Sequence, residues 1–160
     1  MPLYVRGAAC YRAGQDEEAV RLLRLSLSRT AHEARALNLP VLAMARHRLG
    51  QPDEARRALR GARETLDHWA QAAFDRPDRF VPVQPWWDWV ELRVLYREAH
   101  RLVEGADPPE EPRLHVVCGR AFAALGRADR ADAEFARALR LAPDDPKIRE
   151  ACADRPKGRD

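Results

Sequence analysis

Apolar residues recur three and four positions apart along most of the chain, the spacing that places side chains on one face of an α-helix. One such series, on the fifth predicted helix, comprises Trp89, Leu92, Tyr96, Ala99 and Val103. The one strand-like stretch, Phe80–Val83, is weakened by Pro82 because proline removes a ladder hydrogen bond. The pattern therefore predicts an all-α protein.

Glycine and proline residues divide this pattern into seven or eight predicted helices. Gly14, Gly50 and Gly126 each follow an apolar helical run, as glycine commonly does just past a helix end. Pro52 and Pro112 suit the first turn of a helix, where a missing N–H leaves no bond unmade. Helices are predicted to begin near residues 2, 16, 52, 85, 112, 128 and 146, and Pro40 either starts a further helix or kinks a longer one. Segments 75–84 and 105–111 are predicted to be loops, and residues 154–160 a flexible tail.

The last helical pair carries a fixed series of small, aromatic and turn residues. The series comprises Gly119, Phe122, Gly126, Ala131, Phe135, Ala138 and Pro143. These spacings resemble those of the tetratricopeptide repeat family. A second pair matches in part, through Ala43, Gly50, Ala55, Leu59 and Ala62. It departs from the family at Arg46, where an aromatic residue is expected. The first pair keeps Gly7, Gly14 and Ala19.

The resemblance implies a TPR-like solenoid of helical hairpins that coil into a right-handed superhelix. Repeats are expected at about 1–34, 37–73 and 112–145, a degenerate repeat at 74–105 and a terminal helix at 145–153, within one domain of residues 1–153. The degenerate repeat is inferred because Gly50 and Gly126 lie 76 residues apart, more than two repeats of ~34 residues. Within the last pair, Gly119 is expected to lie against Ala131 where the two helices cross.

Two features of the sequence favour a fragment of a longer protein or a truncated reading frame. Pro85-Trp86-Trp87, just before a helix, is similar to repeat regions attached to bacterial Ser/Thr kinases or WD40 proteins. Met1 falls almost inside the first predicted helix, with no cap before it. We therefore expect either the repeat region of a larger bacterial signalling protein or a truncated reading frame.

Composition and charge then narrow the class of protein. The 160 residues are 46% hydrophobic and 33% charged, which excludes a disordered chain. No apolar run reaches the ~18 residues of a membrane span, and no signal-peptide pattern is found, so a cytoplasmic protein is expected. Two of the 28 basic residues are lysines and the rest arginines, interspersed with 25 acids. This mixture fits a solvated surface, with a functional basic surface as the alternative.

The sequence contains no recognisable catalytic or cofactor motif. A phosphate-binding glycine loop, a nucleophile elbow and an H-E-x-x-H pair are all missing from the sequence. Three widely spaced cysteines indicate reduced, buried thiols rather than disulfides or a zinc site. We therefore expect no enzymatic activity, cofactor or metal. Trp86 and Trp87 either anchor the 75–84 loop or form an exposed binding site.

The family resemblance implies a concave groove lined by the first helix of each pair, where a peptide or protein partner binds. Its residues would be Tyr4, Tyr11, Arg12, Met44, His47, Arg48, Arg113, Val116 and Arg120. Because four of these are arginines, an acidic peptide or a C-terminal carboxylate is the favoured partner. The leading function is thus a non-enzymatic protein–protein interaction module. The alternatives are a homo-oligomerisation element and arginine-mediated nucleic-acid binding, with no membrane partner expected.

Overall fold

The computed structural model describes residues 2–29, 36–76 and 86–154, and all the elements in these ranges are α-helices. The eight helices are α1 (Leu3–Arg12), α2 (Asp16–Arg29), α3 (Asn38–Arg48), α4 (Pro52–Phe74), α5 (Trp86–Glu104), α6 (Pro112–Ala124), α7 (Ala128–Leu141) and α8 (Pro146–Ala153). The predicted all-α class is confirmed. The predicted strand-like stretch, most of the 75–84 loop and nearly all of the tail lie outside the described residues.

Helix ends fall where local chemistry predicts them. Gly14 and Gly126 follow α1 and α6 with φ of +75° and +68°, a conformation that glycine adopts without a Cβ penalty. Pro52 begins α4 and Pro112 begins α6, as predicted. The Asp145 side chain accepts hydrogen bonds from two backbone N–H groups in the first turn of α8, at 2.9 and 3.3 Å. These N–H groups have no partner within the helix, so the carboxylate stabilises the helix start.

The chain divides into two compact units. The first comprises Met1–Leu66 and Gln84–Pro108, and the second comprises Asp67–Val83 and Pro109–Asp160. In the first unit α1 packs on α2, α2 on α3, and α3 on α5. In the second unit α6 and α7 form a hairpin, and α8 packs on both.

In both the α1–α2 and the α6–α7 hairpins, the two helices cross at a glycine that packs against a large side chain. A Cβ atom added to Gly7 would lie 2.7 Å from the Leu23 side chain, and one on Gly119 would lie 2.7 Å from the Phe135 ring. The two residues of each contact are 16 positions apart in both hairpins. The partner predicted for Gly119, Ala131, is corrected: the three atoms nearest to an added Cβ all belong to Phe135. The Phe135 ring occupies the space beside Gly119, because only a residue without a side chain admits a ring so close.

Helix α3 is buried on all sides through most of its length. Every residue from Pro40 to Ala45 is buried. The Leu39 side chain lies beside Gly61 of α4. An apolar run of this kind does not have a polar face to present to solvent. α3 is therefore a central helix of the first unit.

The core of the second unit gathers residues from α6, α7, α8 and the end of α4. Its buried members are Phe74, Val116, Ala131, Phe135, Ala138, Ile148, Ala151 and Cys152. Phe74 at the end of α4 thus packs in the same cluster as the α6–α7 hairpin. Of the three cysteines, Cys152 is buried, whereas Cys10 and Cys118 are half-buried, so the expectation of three buried thiols is wrong for two of them.

Candidate functional site

The first unit contains an open groove beside α5, which we call the α5 groove. Its volume is about 600 Å³. The lining residues are Tyr11, Arg48, Val94, Arg97, Glu98, Arg101 and Leu102. Three arginines and one glutamate surround two exposed aliphatic side chains, so the groove combines a cationic rim with apolar surface. This combination suits a partner that carries both carboxylates and apolar side chains.

Two polar contacts fix α1 against α5 at the edge of this groove. Arg12 forms a forked ion pair with Glu98, with Nη2 lying 2.6 Å from Oε2. The Tyr4 hydroxyl donates a hydrogen bond to Glu91 at 2.5 Å. Burial, followed by the hydrogen bond to Glu91, raises the pKa of Tyr4 above its usual value. The hydrogen bond to Glu98 raises the pKa of Arg12, so this guanidinium stays charged.

Arg48 covers the base of the groove. Its guanidinium lies 4.1 Å from the centroid of the Tyr11 ring and donates a hydrogen bond of 3.2 Å to the Tyr11 carbonyl. It also lies 3.7 Å from the Asp16 carboxylate. Such stacking on a ring face is favourable for a planar cation. Burial raises the pKa of Tyr11, so the ring stays uncharged beneath the arginine. Arg48 is therefore largely engaged in holding α1, α2 and α3 together.

Two further arginines of the groove share a single carboxylate. Asp107 accepts a hydrogen bond of 3.0 Å from Arg97 and two bonds of 2.6 and 3.0 Å from Arg101. These bonds, that of Arg101 foremost, lower the pKa of Asp107 to about 2. Each guanidinium carries five N–H donors, and one carboxylate can occupy only a few of them. Arg97 and Arg101 thus retain donors for a further anionic group.

The residues predicted for a peptide groove fall into different environments in the first unit. Tyr4, Tyr11, Arg12 and Arg48 cluster between α1, α3 and α5, and the last three surround or line the α5 groove. His47 is half-buried. Met44 is fully buried, so its expected place on an open surface is corrected. The reason is that α3 is covered on all sides at this point, a property that the unbroken apolar run before Arg46 already indicated.

In the second unit the three predicted residues lie in different environments. Val116 is fully buried and packs in the same core cluster as Phe74, which corrects its expected exposure. Arg120 donates a hydrogen bond of 2.9 Å to the Phe74 carbonyl and lies 5.3 Å from the centroid of that ring. Burial lowers the pKa of Arg120. Arg113 lies 3.7 Å from Glu111. As ligand contacts, all of these residues stay predictions.

A cluster of charged residues in the second unit has no signal in the sequence. His115 Nδ1 lies 2.6 Å from Glu134, and its Nε2 lies 3.1 Å from Glu110. Arg137 also donates two hydrogen bonds to Glu110, and these lower the pKa of Glu110 to about 2. Glu110 lies just before α6, His115 lies in α6, and the other two residues lie in α7, so the cluster links these two helices. Within the described ranges, no group of three ligating side chains is arranged to hold a metal ion.

The outward face of α5 carries exposed apolar residues. Trp87, Val90 and Val94 are 57%, 52% and 61% exposed, and Leu102 is 38% exposed. On the opposite face Trp89, Leu92, Tyr96 and Ala99 are buried, as the sequence predicted, whereas Val103, the last residue of that series, is half-buried. We call Trp87, Val90 and Val94 the α5 stripe. Of the two readings for Trp87, its exposure favours a binding surface, whereas the loop it would anchor lies outside the described residues.

Comparisons with known proteins supply no family for this chain. No protein-family model matches it, and no curated protein matches it either. None of the described helices combines the length and the apolar character that are needed to cross a bilayer.

Proposed function

We propose that the chain is a tetratricopeptide-like protein-interaction module whose binding surface is the α5 groove. The repeat assignment is supported by the equal spacing of Gly7 to Leu23 and of Gly119 to Phe135, each a contact between a glycine and a large side chain. Positive-φ glycines after α1, α3 and α6 add the same kind of turn at the ends of three helices. A solenoid stacks such hairpins and leaves a concave surface for partners.

The observation that carries the binding proposal is the composition of the groove. Arg97 and Arg101 share the Asp107 carboxylate, and Val94 and Leu102 lie beside them with exposed aliphatic surface. A protein segment with acidic and apolar side chains satisfies both features. Charge-assisted bonds to carboxylates are roughly twice as strong as neutral ones. A nucleic acid fits less well, because the carboxylates beside these arginines repel phosphate.

The proposal is tested by selecting short peptides from a phage-displayed library against the full chain. Selected peptides should be rich in aspartate, glutamate and apolar residues. Arg101→Ala should weaken their binding roughly 10- to 150-fold, since one lost charge-assisted bond is worth ~1.5–3 kcal/mol. Arg93→Ala, an exposed arginine of the same helix outside the groove, is the matched control and should leave the affinity unchanged.

A gain-of-affinity variant sharpens this test. Asp107→Asn removes the anion that competes for Arg97 and Arg101, so acidic peptides should bind more tightly than to the parent chain. The affinity should also fall with added salt, as screened ion pairs do. A library that yields no binder, or binders that respond equally to Arg101→Ala and Arg93→Ala, would contradict the proposal.

A further inference from the structure

The exposed side of α5 changes in charge from one end of the helix to the other. Exposed Glu91 and half-buried Asp88 lie in its first half, and exposed Arg97 and Arg101 lie in its second half, where Glu104 is paired with Arg56 at 3.7 Å. Val90 and Val94 lie between them, more than half exposed. Read from its start, this side of the helix is therefore acidic, then apolar, then basic.

The charge at each end is only partly balanced within the chain. Near the start, burial and then the neighbouring Glu91 raise the pKa of Asp88, which shows that the two carboxylates repel each other. Glu91 accepts a bond from the uncharged Tyr4 hydroxyl rather than from a cation. Near the other end, Arg97 and Arg101 share the one carboxylate of Asp107. Glu98 is neutralised by Arg12 and adds nothing to either end.

From this pattern we propose that the exposed side of α5 binds the same side of α5 in a second copy of this chain, with the two helices antiparallel about a two-fold axis at Val94. The inference rests on the proposed function, because Val94, Arg97 and Arg101 of the α5 groove are among the residues that the second copy contacts. In an antiparallel pair the acidic start of each helix lies against the basic end of the other. The contact is therefore self-complementary, as a two-fold interface must be.

The helix register gives specific residue pairs. With the two-fold axis at Val94, the residue n positions before Val94 in one copy lies opposite the residue n positions after Val94 in the other copy. Glu91 then lies opposite Arg97 of the second copy, and Trp87 lies opposite Arg101. The first pair is an ion pair, and the second places a guanidinium on an indole face, the strongest aromatic partner of a cation. Each occurs twice by symmetry. The paired helices also cover the Val94 side of the α5 groove.

The test is the mass of the full chain by sedimentation equilibrium over a range of concentrations. The parent chain should approach twice its mass of 18.2 kDa as its concentration rises. Val94→Asp places two like charges on the axis and should give a monomer at every concentration. Arg93→Glu is the control, because one residue turns the helix by about 100° away from Val94. This variant should dimerise like the parent.

A charge-swap pair separates lost pairing from lost folding. Glu91→Arg and Arg97→Glu should each be monomeric, because each variant sets two like charges against each other. An equimolar mixture of the two should dimerise again. In the mixed dimer the arginine introduced at position 91 of one chain faces the glutamate introduced at position 97 of the other, while the second contact keeps its native residues. Far-ultraviolet circular dichroism of each variant confirms its helical content. A mixture that stays monomeric while both variants are helical would overturn the register.

The outcomes also separate this inference from the function on which it rests. A parent chain that is monomeric at its highest soluble concentration but selects acidic peptides overturns the inference and leaves the interaction module standing. A monomer that selects no peptide overturns both. A parent dimer that Val94→Asp does not dissociate shows self-association through another surface and overturns the inference.

Discussion

Replacing Gly119 by alanine tests the close contact that defines the second hairpin. The added Cβ would lie 2.7, 2.8 and 2.9 Å from three carbons of the Phe135 ring. Non-bonded carbons pack best at ~3.5–4.0 Å, so the ring must retreat by about 0.7 Å or more. Phe135 is only 1% exposed and packs in the core of its unit, which leaves the ring no free space. We expect an overpacking cost of ~1–3 kcal/mol.

A matched glycine isolates this cost from the backbone effect of the substitution. Gly61 in α4 has only the terminal methyl groups of Leu39 nearby, with the closer one 3.3 Å from an added Cβ. A flexible chain end can move by the few tenths of an ångström required. Alanine favours a helix over glycine by ~1 kcal/mol at both positions. Gly61→Ala should therefore be neutral or stabilising by up to about 1 kcal/mol, and Gly119→Ala should lower stability relative to it by ~1–3 kcal/mol.

Urea unfolding, monitored by circular dichroism at several wavelengths, gives the free energy of unfolding of both variants under one set of conditions. A double substitution, Gly119→Ala with Phe135→Ala, adds a direct check. Phe135→Ala alone should cost ~3–5 kcal/mol through a cavity, and the added Cβ should fill part of that cavity. The combined loss should therefore be smaller than the sum of the single losses. Equal stability of Gly61→Ala and Gly119→Ala, or strict additivity in the double variant, would refute the assigned contact.

Three further predictions follow from contacts in the second unit. The lowered pKa of Glu110 means that its ionised form stabilises the fold above about pH 4.5 and that this contribution is lost as the pH falls toward 2; Glu110→Gln should thus destabilise at pH 7 but hardly at pH 2.5 in urea unfolding. Asp145→Ala should cost ~1 kcal/mol and increase amide hydrogen exchange in the first turn of α8, and unchanged exchange there would argue against the cap. Arg120→Ala should lower the thermal midpoint, because its hydrogen bond and ring contact with Phe74 are lost, whereas a purely peptide-binding role would leave the midpoint unchanged.

The helices could be predicted from the sequence because the signals that end them are local. Gly14 and Gly126 each permit a positive φ that few other residues adopt, and Asp145 reaches only two and three residues ahead. The periodic apolar residues of α5 were placed on the buried face correctly for the same reason. A helical spacing depends on residues within a few turns of one another.

The candidate site could not be predicted in the same way. Arg12 pairs with Glu98, which lies 86 positions later in the chain, and no local pattern specifies that partner. Met44 was expected on a groove, but the packing of other helices around α3 buries it. For Arg120, the decisive neighbour is Phe74, 46 positions earlier. Each of these outcomes depends on which elements meet in space, and periodicity within one helix does not contain that information.

The order in which helices pack in the first unit has a consequence for how the protein folds. α1 and α2 are consecutive helices that pack against each other across the short turn at Gly14. The contact between α3 and α5 instead closes a segment that runs from Arg48 to Trp86. Closing longer segments costs more chain entropy, and contacts of high sequence separation form late.

We therefore expect the α1–α2 hairpin to belong to the folding nucleus and α5 to dock after the main barrier. Truncation of Leu23 should slow folding, whereas truncation of Leu92, which is buried on α5, should chiefly speed unfolding. Since α5 carries both the groove and the stripe, the surface proposed for binding would be the last part of its unit to form and the first to detach.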